Sequence, residues 1–181
     1  LSLDIALYYH DISDAVVLEY AGSTVGPGTL DDRYMAGNSL SVSCYGVEVA
    51  AKYRPVDWWR LDLAYTFMRV QLHPDGGVVH YSDDWYEEDA PRHQISLLSS
   101  FHLTPTLDLD LWARYVDNIN DVADYTLSSY VSLDASIRWR PTPNVELTLA
   151  GRNLSDSSHP EYYPSTLLTT ASTEVPRSVY V

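Results

Sequence analysis

The stretch LDLDLWARY, residues 107–115, decides the fold, because its side chains change polarity at almost every step. One parity carries Leu107, Leu109, Leu111, Ala113 and Tyr115, and the other carries Asp108, Asp110, Trp112 and Arg114. A strand puts the two parities on opposite faces, whereas a helix would bring Leu107, Asp110 and Leu111 together. The stretch therefore predicts a β-strand with one apolar and one polar face.

The same period of two recurs along the chain. It is clearest in residues 1–9, 47–53, 60–67, 94–103, 107–115, 131–139 and 145–152. Two shorter candidates, Ala15–Ala21 and Val175–Val181, bring the expected number of strands to nine. We expect antiparallel strands and essentially no helix longer than one or two turns. No run approaches the ~18 apolar residues that a membrane-spanning helix requires.

The predicted connections alternate in length. Short turns are expected at residues 10–14, 55–57, 104–106 and 141–144, and long polar loops at 22–37, 73–91, 117–128 and 154–175. The prolines at 55, 105, 141 and 143 fall in the short turns, where no backbone donor is needed. This rhythm is typical of an up-and-down barrel with tight turns on one rim and long loops on the other.

Aromatic side chains distinguish a membrane barrel from a soluble sandwich, which also alternates. The chain has 15 Tyr against 2 Phe, and many of its aromatic residues share the parity of the aliphatic face. Near the predicted short turns these are Tyr9, Tyr53, Trp59, Phe101 and Trp139, and toward the long loops they are Tyr65, Phe67 and Tyr115. Two aromatic belts around an aliphatic band favour a transmembrane β-barrel wall.

The opposite parity is charged even in mid-strand. Its charged members are Glu48, Lys52, Arg60, Asp62, Asp108, Asp110, Arg114, Asp134, Arg138, Glu146 and Arg152. In a barrel they would line a wet or plugged lumen. The net charge of −14 argues against nucleic acid as a partner.

The predicted long loops hold most of the negative charge, with fourteen Asp and Glu side chains against one Arg. The densest group is Asp83, Asp84, Glu87, Glu88 and Asp89. Carboxylates so close together repel one another, and a hard divalent cation would relieve that repulsion. We predict a Ca²⁺ or Mg²⁺ site here, the alternative being a solvated loop. No other cofactor is expected.

Several segments together resemble the C-terminal barrel of TonB-dependent outer-membrane receptors. They are YGVEVAAKYRPVDWWRLDLAYTF (45–67), PRHQISLLSSFHL (91–103), LDLDLWARYVD (107–117), SLDASIRWRPTPNVELTLAGRNLSDSSHPEYY (132–163) and EVPRSVY (174–180). The most specific piece is the strand, proline turn and strand that precede GRNLSD and HPE. Their order along the chain is more specific than any one of them.

The resemblance implies a place in the bacterial outer membrane and uptake of a scarce ligand such as a ferric siderophore. It also implies several partners: outer-membrane lipid and lipopolysaccharide, a plug domain, further barrel strands, and TonB through an N-terminal segment. Residues 1–181 are expected to be the C-terminal part of such a barrel, without the plug. Nine strands is an odd number and bacterial single-chain barrels close with even numbers, so we expect an incomplete barrel.

Two alternatives remain at this point: an outer-membrane barrel enzyme and a soluble all-β binding module. His73, His80, Asp83 and Asp84 could imitate the rim residues of a barrel protease, but nothing in the sequence fixes their geometry. Ser99, Ser100 and His102 are neighbours on one strand, which is more simply a polar face. We therefore expect no catalytic residues and no enzyme activity.

Overall fold

The computed structural model describes residues 1–76, 90–122, 125–162 and 173–181, and it places them mainly in antiparallel strands. The strands are β1 (Ser2–Gly26), β2 (Thr29–Val56), β3 (Trp59–Pro74), β4 (His93–Thr104), β5 (Leu107–Val116), β6 (Ile119–Val122), β7 (Tyr125–Leu127), β8 (Tyr130–Thr142), β9 (Val145–Arg152), β10 (Ser158–Tyr162), β11 (Thr173–Pro176) and β12 (Ser178–Tyr180). The described residues contain no helix that is long and apolar enough to cross a membrane.

One sheet holds eight strands in the order β1-β2-β3-β4-β5-β8-β9-β12, and β6–β7 and β10–β11 form separate two-stranded sheets. Consecutive strands of the large sheet are neighbours, as in an up-and-down wall. Within the described residues the sheet does not close, because β1 and β12 lie at its two edges. The all-β, antiparallel and incomplete-barrel predictions are confirmed.

The first hairpin corrects the prediction of nine strands. The predicted turn at 10–14 lies inside β1, so the segments at 1–9 and 15–21 belong to one strand. The chain passes this point through an irregularity in register between Ile12 and Ala15, with Asp14 at φ 56°. Aspartate tolerates this left-handed conformation better than most residues. Asn38 Nδ2 also donates to the Asp14 carbonyl at 2.8 Å.

The prediction of a long loop at 22–37 was also wrong. Its residues complete β1 and begin β2, and the reversal needs only Pro27 and Gly28. Proline followed by a glycine at φ 84° suits a tight turn that requires positive φ at its third position. Polar cross-strand contacts such as Arg33 Nε to Thr24 Oγ1, at 3.2 Å, replace the apolar alternation. The few apolar residues of this segment, such as Val25 and Leu30, do not alternate regularly with polar ones, so the segment resembled a loop.

The predicted short turns of the remaining hairpins are present. The reversals use Asp57 and Trp58, Pro105 and Thr106, and Pro143 and Asn144. All three lie at the same end of the sheet, and the longer connections lie at the other. The rim with the three tight turns is called the short-turn rim below, and the opposite end is called the long-connection rim.

The sheet has almost no interior of its own. Of the described apolar residues, only Val17, Leu40 and Leu127 are buried. Leucines in the middle of the central strands stay about two-fifths exposed, for example Leu63 at 40% and Leu133 at 42%. The large sheet is therefore a wall with two accessible faces.

Candidate functional site: the two faces of the wall

The register assigns each residue of the large sheet to a face, because directly opposed residues of antiparallel strands point to the same side. One row across the sheet contains Leu61, Ser99, Leu111, Ala135 and Gly151. Neighbouring rows on that side carry the other predicted members of the apolar face, namely Leu63, Leu109, Leu133, Ile137, Leu147 and Leu149. These eight Leu and Ile residues therefore share one face, as the period of two predicts for their strands.

Aromatic side chains border this apolar face at the short-turn rim. The rings of Trp59 and Phe101 stack with centroids 5.9 Å apart, and Trp58 stacks on both at 6.4 Å. The Trp59 indole nitrogen donates to Ser99 Oγ at 2.9 Å, which satisfies a polar group that hydrocarbon could not. These rings suit the boundary between an apolar slab and water.

At the opposite border, Tyr65 and Tyr115 share a row, and Tyr9 and Tyr45 lie two rows further out. Tyr9 was predicted to lie near a short turn. The register corrects this, because the expected turn after Tyr9 does not exist. Aromatic residues nevertheless occupy both borders of the band, as the belts predicted.

The other face carries the charges, most of them in pairs. Arg60 Nε lies 2.9 Å from Asp62 Oδ2, Arg114 lies 3.5 Å from Asp134, and Arg138 lies 3.7 Å from Glu146. The predicted charged parity is thus assembled on one side of the wall. Each of these pairs is partly exposed, so water screens it and each contributes little to stability. Their main effect is to make this face wettable.

Asp108 is the most buried of these carboxylates, at 7% exposure. One of its oxygens lies 2.7 Å from His102 Nδ1 on β4, and the other accepts a hydrogen bond from Arg140 on β8 at 2.6 Å. A carboxylate on β5 therefore joins both neighbouring strands near the short-turn rim. Charge-assisted bonds of this length are among the stronger ones in proteins.

A second cluster lies further toward the long-connection rim. The Arg114 guanidinium lies 4.7 Å from the centre of the Trp112 ring and donates to Ser132 Oγ at 3.4 Å. Asp134, the ion-pair partner of Arg114, also accepts a hydrogen bond from the Asn153 backbone at 2.9 Å. Among the described residues, the buried Arg114 Nε has no hydrogen-bond partner. The cluster therefore presents a cationic and an aromatic group on the charged side of the wall.

Asn153 fixes the end of β9. It is 1% exposed, adopts a left-handed φ of 50°, and donates from Nδ2 to the Val175 carbonyl at 3.0 Å. The next residue, Leu154, donates its backbone N–H to the Leu133 carbonyl at 2.7 Å. A Cβ at Gly151 would lie 2.9 Å from Leu154 Cδ2, so a larger residue there would make the end of the Leu154 side chain shift. The GRNLSD stretch thus holds β11 and the chain after β9 against β8.

A family model described as TonB dependent receptor-like, beta-barrel, matches residues 1–154. The chain belongs to this family. Members of this receptor family reside in the bacterial outer membrane, which confirms the predicted location. The apolar side of the wall, which is predicted to face lipid, is called the lipid-facing side below. No curated protein sequence matches the chain.

Solved structures of receptors resemble the chain over 98% of its length. They include the siderophore receptor PiuA from Acinetobacter baumannii, with 22% identity and a TM-score of 0.74. The ferric-catecholate import receptor Fiu from Escherichia coli has 19% identity and a TM-score of 0.69, and the ferric yersiniabactin uptake receptor FyuA from Yersinia pestis has 20% and 0.67. The chain spans only 25%, 24% and 26% of these three chains, respectively.

The predicted cation site, Asp83, Asp84, Glu87, Glu88 and Asp89, lies outside the described residues, as does His80. Within the described ranges, no group of three or more His, Cys, Asp or Glu side chains is arranged to hold a metal ion. His73 is described, and its Nε2 lies 3.1 Å from Ser43 Oγ.

The serine and histidine neighbours on β4 have separate contacts. Ser99 is on the lipid-facing side with Trp59, whereas His102 is bound to Asp108 on the charged side. Sequence reasoning did not find the roles of Arg140 and Asn153. The GRNLSD motif drew attention to Asn153, but the role of Asn153 depends on its contacts with β8 and β11.

Proposed function

We propose that this chain forms part of the barrel wall of an outer-membrane receptor that takes up a scarce ligand, such as a ferric siderophore. The observation that carries the proposal is the pairing of an aliphatic, aromatic-bordered face with an ion-paired charged face in one sheet. A wall of this kind separates lipid from a polar interior. The names of the three structural relatives, all siderophore or ferric-complex receptors, support this class of ligand.

The partners follow from the same proposal. Further strands complete the barrel beside β1 and β12, since lipid does not tolerate open sheet edges. A plug domain occupies the interior and meets the charged face, including the clusters at Asp108 and Arg114. TonB acts through a segment outside this chain and supplies the energy. Lipid and lipopolysaccharide cover the apolar face, and nucleic acid is not a partner.

Uptake under iron limitation tests the function. We expect deletion of the gene to abolish TonB-dependent accumulation of ⁵⁵Fe supplied on at least one member of a siderophore panel. The full-length gene should restore accumulation, and inactivating TonB should abolish it again. Ligand recovered after uptake should be chemically unchanged by mass spectrometry, since no enzyme activity is expected. Accumulation that is equal with and without the gene for every siderophore would contradict the proposal.

We further propose that Asp83, Asp84, Glu87, Glu88 and Asp89 bind Ca²⁺ or Mg²⁺ and that the cation bridges them to lipopolysaccharide phosphates. Five carboxylates within seven residues create mutual repulsion, and oxygen ligands suit both cations. Calorimetric titration of the detergent-solubilised full-length protein should show Ca²⁺ binding that is lost when all five are changed to Asn or Gln. A variant with Asp31 and Asp32 changed to Asn is the control. Equal heats from the wild type and the five-residue variant would refute the site.

A further inference from the structure

Near the long-connection rim, the apolar and polar residues exchange sides of the sheet. On the short-turn side of this exchange the lipid-facing side is apolar, as at Leu7, Val47 and Phe67, which share one row. Two rows further out, the same side carries Asp11, Ser43 and Gln71. On the opposite side, charged residues give way to an apolar row of Ile12, Val42 and Leu72.

This exchange marks the surface of the hydrocarbon layer. Toward the short-turn rim the outside of the wall is suited to lipid, and toward the long-connection rim it is suited to water. From Trp59 to Arg69 there are ten residue steps along β3. At a rise of ~3.4 Å these span about 34 Å, or about 24 Å along the membrane normal at a tilt of ~45°. That height matches the ~25 Å apolar band of outer-membrane barrels.

Arg69 lies on the lipid-facing side in the row between these two levels. It is exposed and stands directly opposite Tyr45, which stands opposite Tyr9. Arg60, Arg114, Arg138 and Arg140 on the charged side have carboxylate partners, whereas no ion pair among the described residues includes Arg69. An arginine at the edge of the apolar band is thus available to an anion outside the wall.

Hydrogen-bonding groups surround this arginine on the same side. Tyr9 OH donates to Ser43 Oγ at 3.5 Å, and His73 Nε2 lies 3.1 Å from the same oxygen. Tyr9, Asp11, Ser43, Tyr45, Arg69 and His73 are together called the outer-rim patch. Asp11 is the one carboxylate of this patch. It lies on β1, the strand of the patch furthest from Arg69, and accepts a hydrogen bond from Ser43 Oγ at 3.5 Å.

We infer that the outer-rim patch binds a phosphate group of lipopolysaccharide, with Arg69 as its principal ligand. A guanidinium presents two parallel N–H donors that match phosphate oxygens. The long-connection rim faces the cell exterior in outer-membrane barrels, so the adjoining leaflet is the lipopolysaccharide leaflet. Tyrosine rings beside Arg69 lie at the level where the acyl chains end and the headgroups begin. The inference rests on the proposed outer-membrane wall but not on uptake of any ligand.

Binding of purified lipid A to the full-length protein in detergent tests this inference. The variants are Arg69→Gln and Arg69→Lys, and Arg60→Gln is the matched control, since it removes an arginine from the charged side of the same strand. Arg69→Gln should weaken binding of bisphosphorylated lipid A by about tenfold or more, the effect of losing a charged hydrogen-bond donor. Arg69→Lys should retain part of the affinity, and Arg60→Gln should retain all of it.

Further arms identify the bound group. Dephosphorylated lipid A should bind the wild type and Arg69→Gln equally, and phosphatidylglycerol should bind the wild type more weakly than bisphosphorylated lipid A. Equal affinity of wild type and Arg69→Gln for bisphosphorylated lipid A overturns the inference. Equal binding of phosphatidylglycerol overturns the assignment to lipopolysaccharide. Circular dichroism of each variant confirms the fold. Uptake of ⁵⁵Fe is measured separately, because loss of the lipid site and loss of transport are independent results.

Discussion

Replacing Leu111 by arginine is expected to impair assembly into the outer membrane. Leu111 lies on the lipid-facing side of the central strand β5, 42% exposed, between Ser99 and Ala135 of the neighbouring strands. An arginine there faces hydrocarbon with no partner. The cost at the midplane of a barrel is ~2–4 kcal/mol and falls toward the interfaces. Leu111 lies one row from the Trp59 row, so we expect about 2 kcal/mol.

The matched control is the adjacent residue, Asp110, on the charged side. Asp110→Leu exchanges one side chain for another on a surface that faces the interior, so assembly should change much less. Folded protein in the outer-membrane fraction, recognised by its altered gel mobility before heating, provides the measurement. Urea unfolding in lipid vesicles gives the free energy difference. If Asp110→Leu proves more damaging to assembly than Leu111→Arg, the two faces have been assigned the wrong way round.

The second large effect is expected from residues 1–181 expressed alone in water, which should not give a stable monomer. Only three described apolar residues are buried, so the chain gains little from hydrophobic burial on folding. Its leucine face exceeds the few hundred Å² of contiguous apolar surface usual for a soluble monomer. The unpaired edges at β1 and β12 also invite pairing with other chains.

Expression without detergent, followed by size-exclusion chromatography and circular dichroism, tests this expectation. We expect inclusion bodies or large aggregates that remain rich in β-structure. Refolding the same chain into detergent is the control, since detergent covers the leucine face and should reduce aggregation. A sharp monomeric peak in water with a cooperative thermal transition would contradict the membrane-wall interpretation.

The strands were predicted best from the sequence where the two sides of the wall face surroundings of different polarity. Between Trp59 and Phe67 one side faces lipid and the other a polar interior, so polarity must alternate and the face of each residue can be read directly. In the first hairpin beyond Tyr9 this contrast is lost. Asp31, Asp32 and Arg33 belong to a strand there, but polar residues on both sides have no period to reveal it.

The charged residues were predicted by face but not by partner. Asp108 and Arg138 share a parity in the sequence, whereas the close contact of Asp108 with Arg140 depends on the register of β5 with β8. Register is set by the pairing of distant strands, so the spacing along the chain does not contain it. The role of Asn153 was hidden for the same reason, because its partners Asp134 and Val175 lie on two other strands.

The exchange of faces near Arg69 also fixes the vertical position of the protein. Sliding outward by one row, about 7 Å along the strand, would lift the Trp59 and Phe101 rings out of their interface. Sliding inward by the same step would push Arg69 into hydrocarbon and bring Asp11, Ser43 and Gln71 to its edge, and a charged or unsatisfied polar group in hydrocarbon costs several kcal/mol. Both displacements raise the free energy, so the wall sits in an energy well along the membrane normal. A bilayer of different thickness must deform to meet this wall, because its rigid hydrogen-bonded rows cannot adjust to the bilayer.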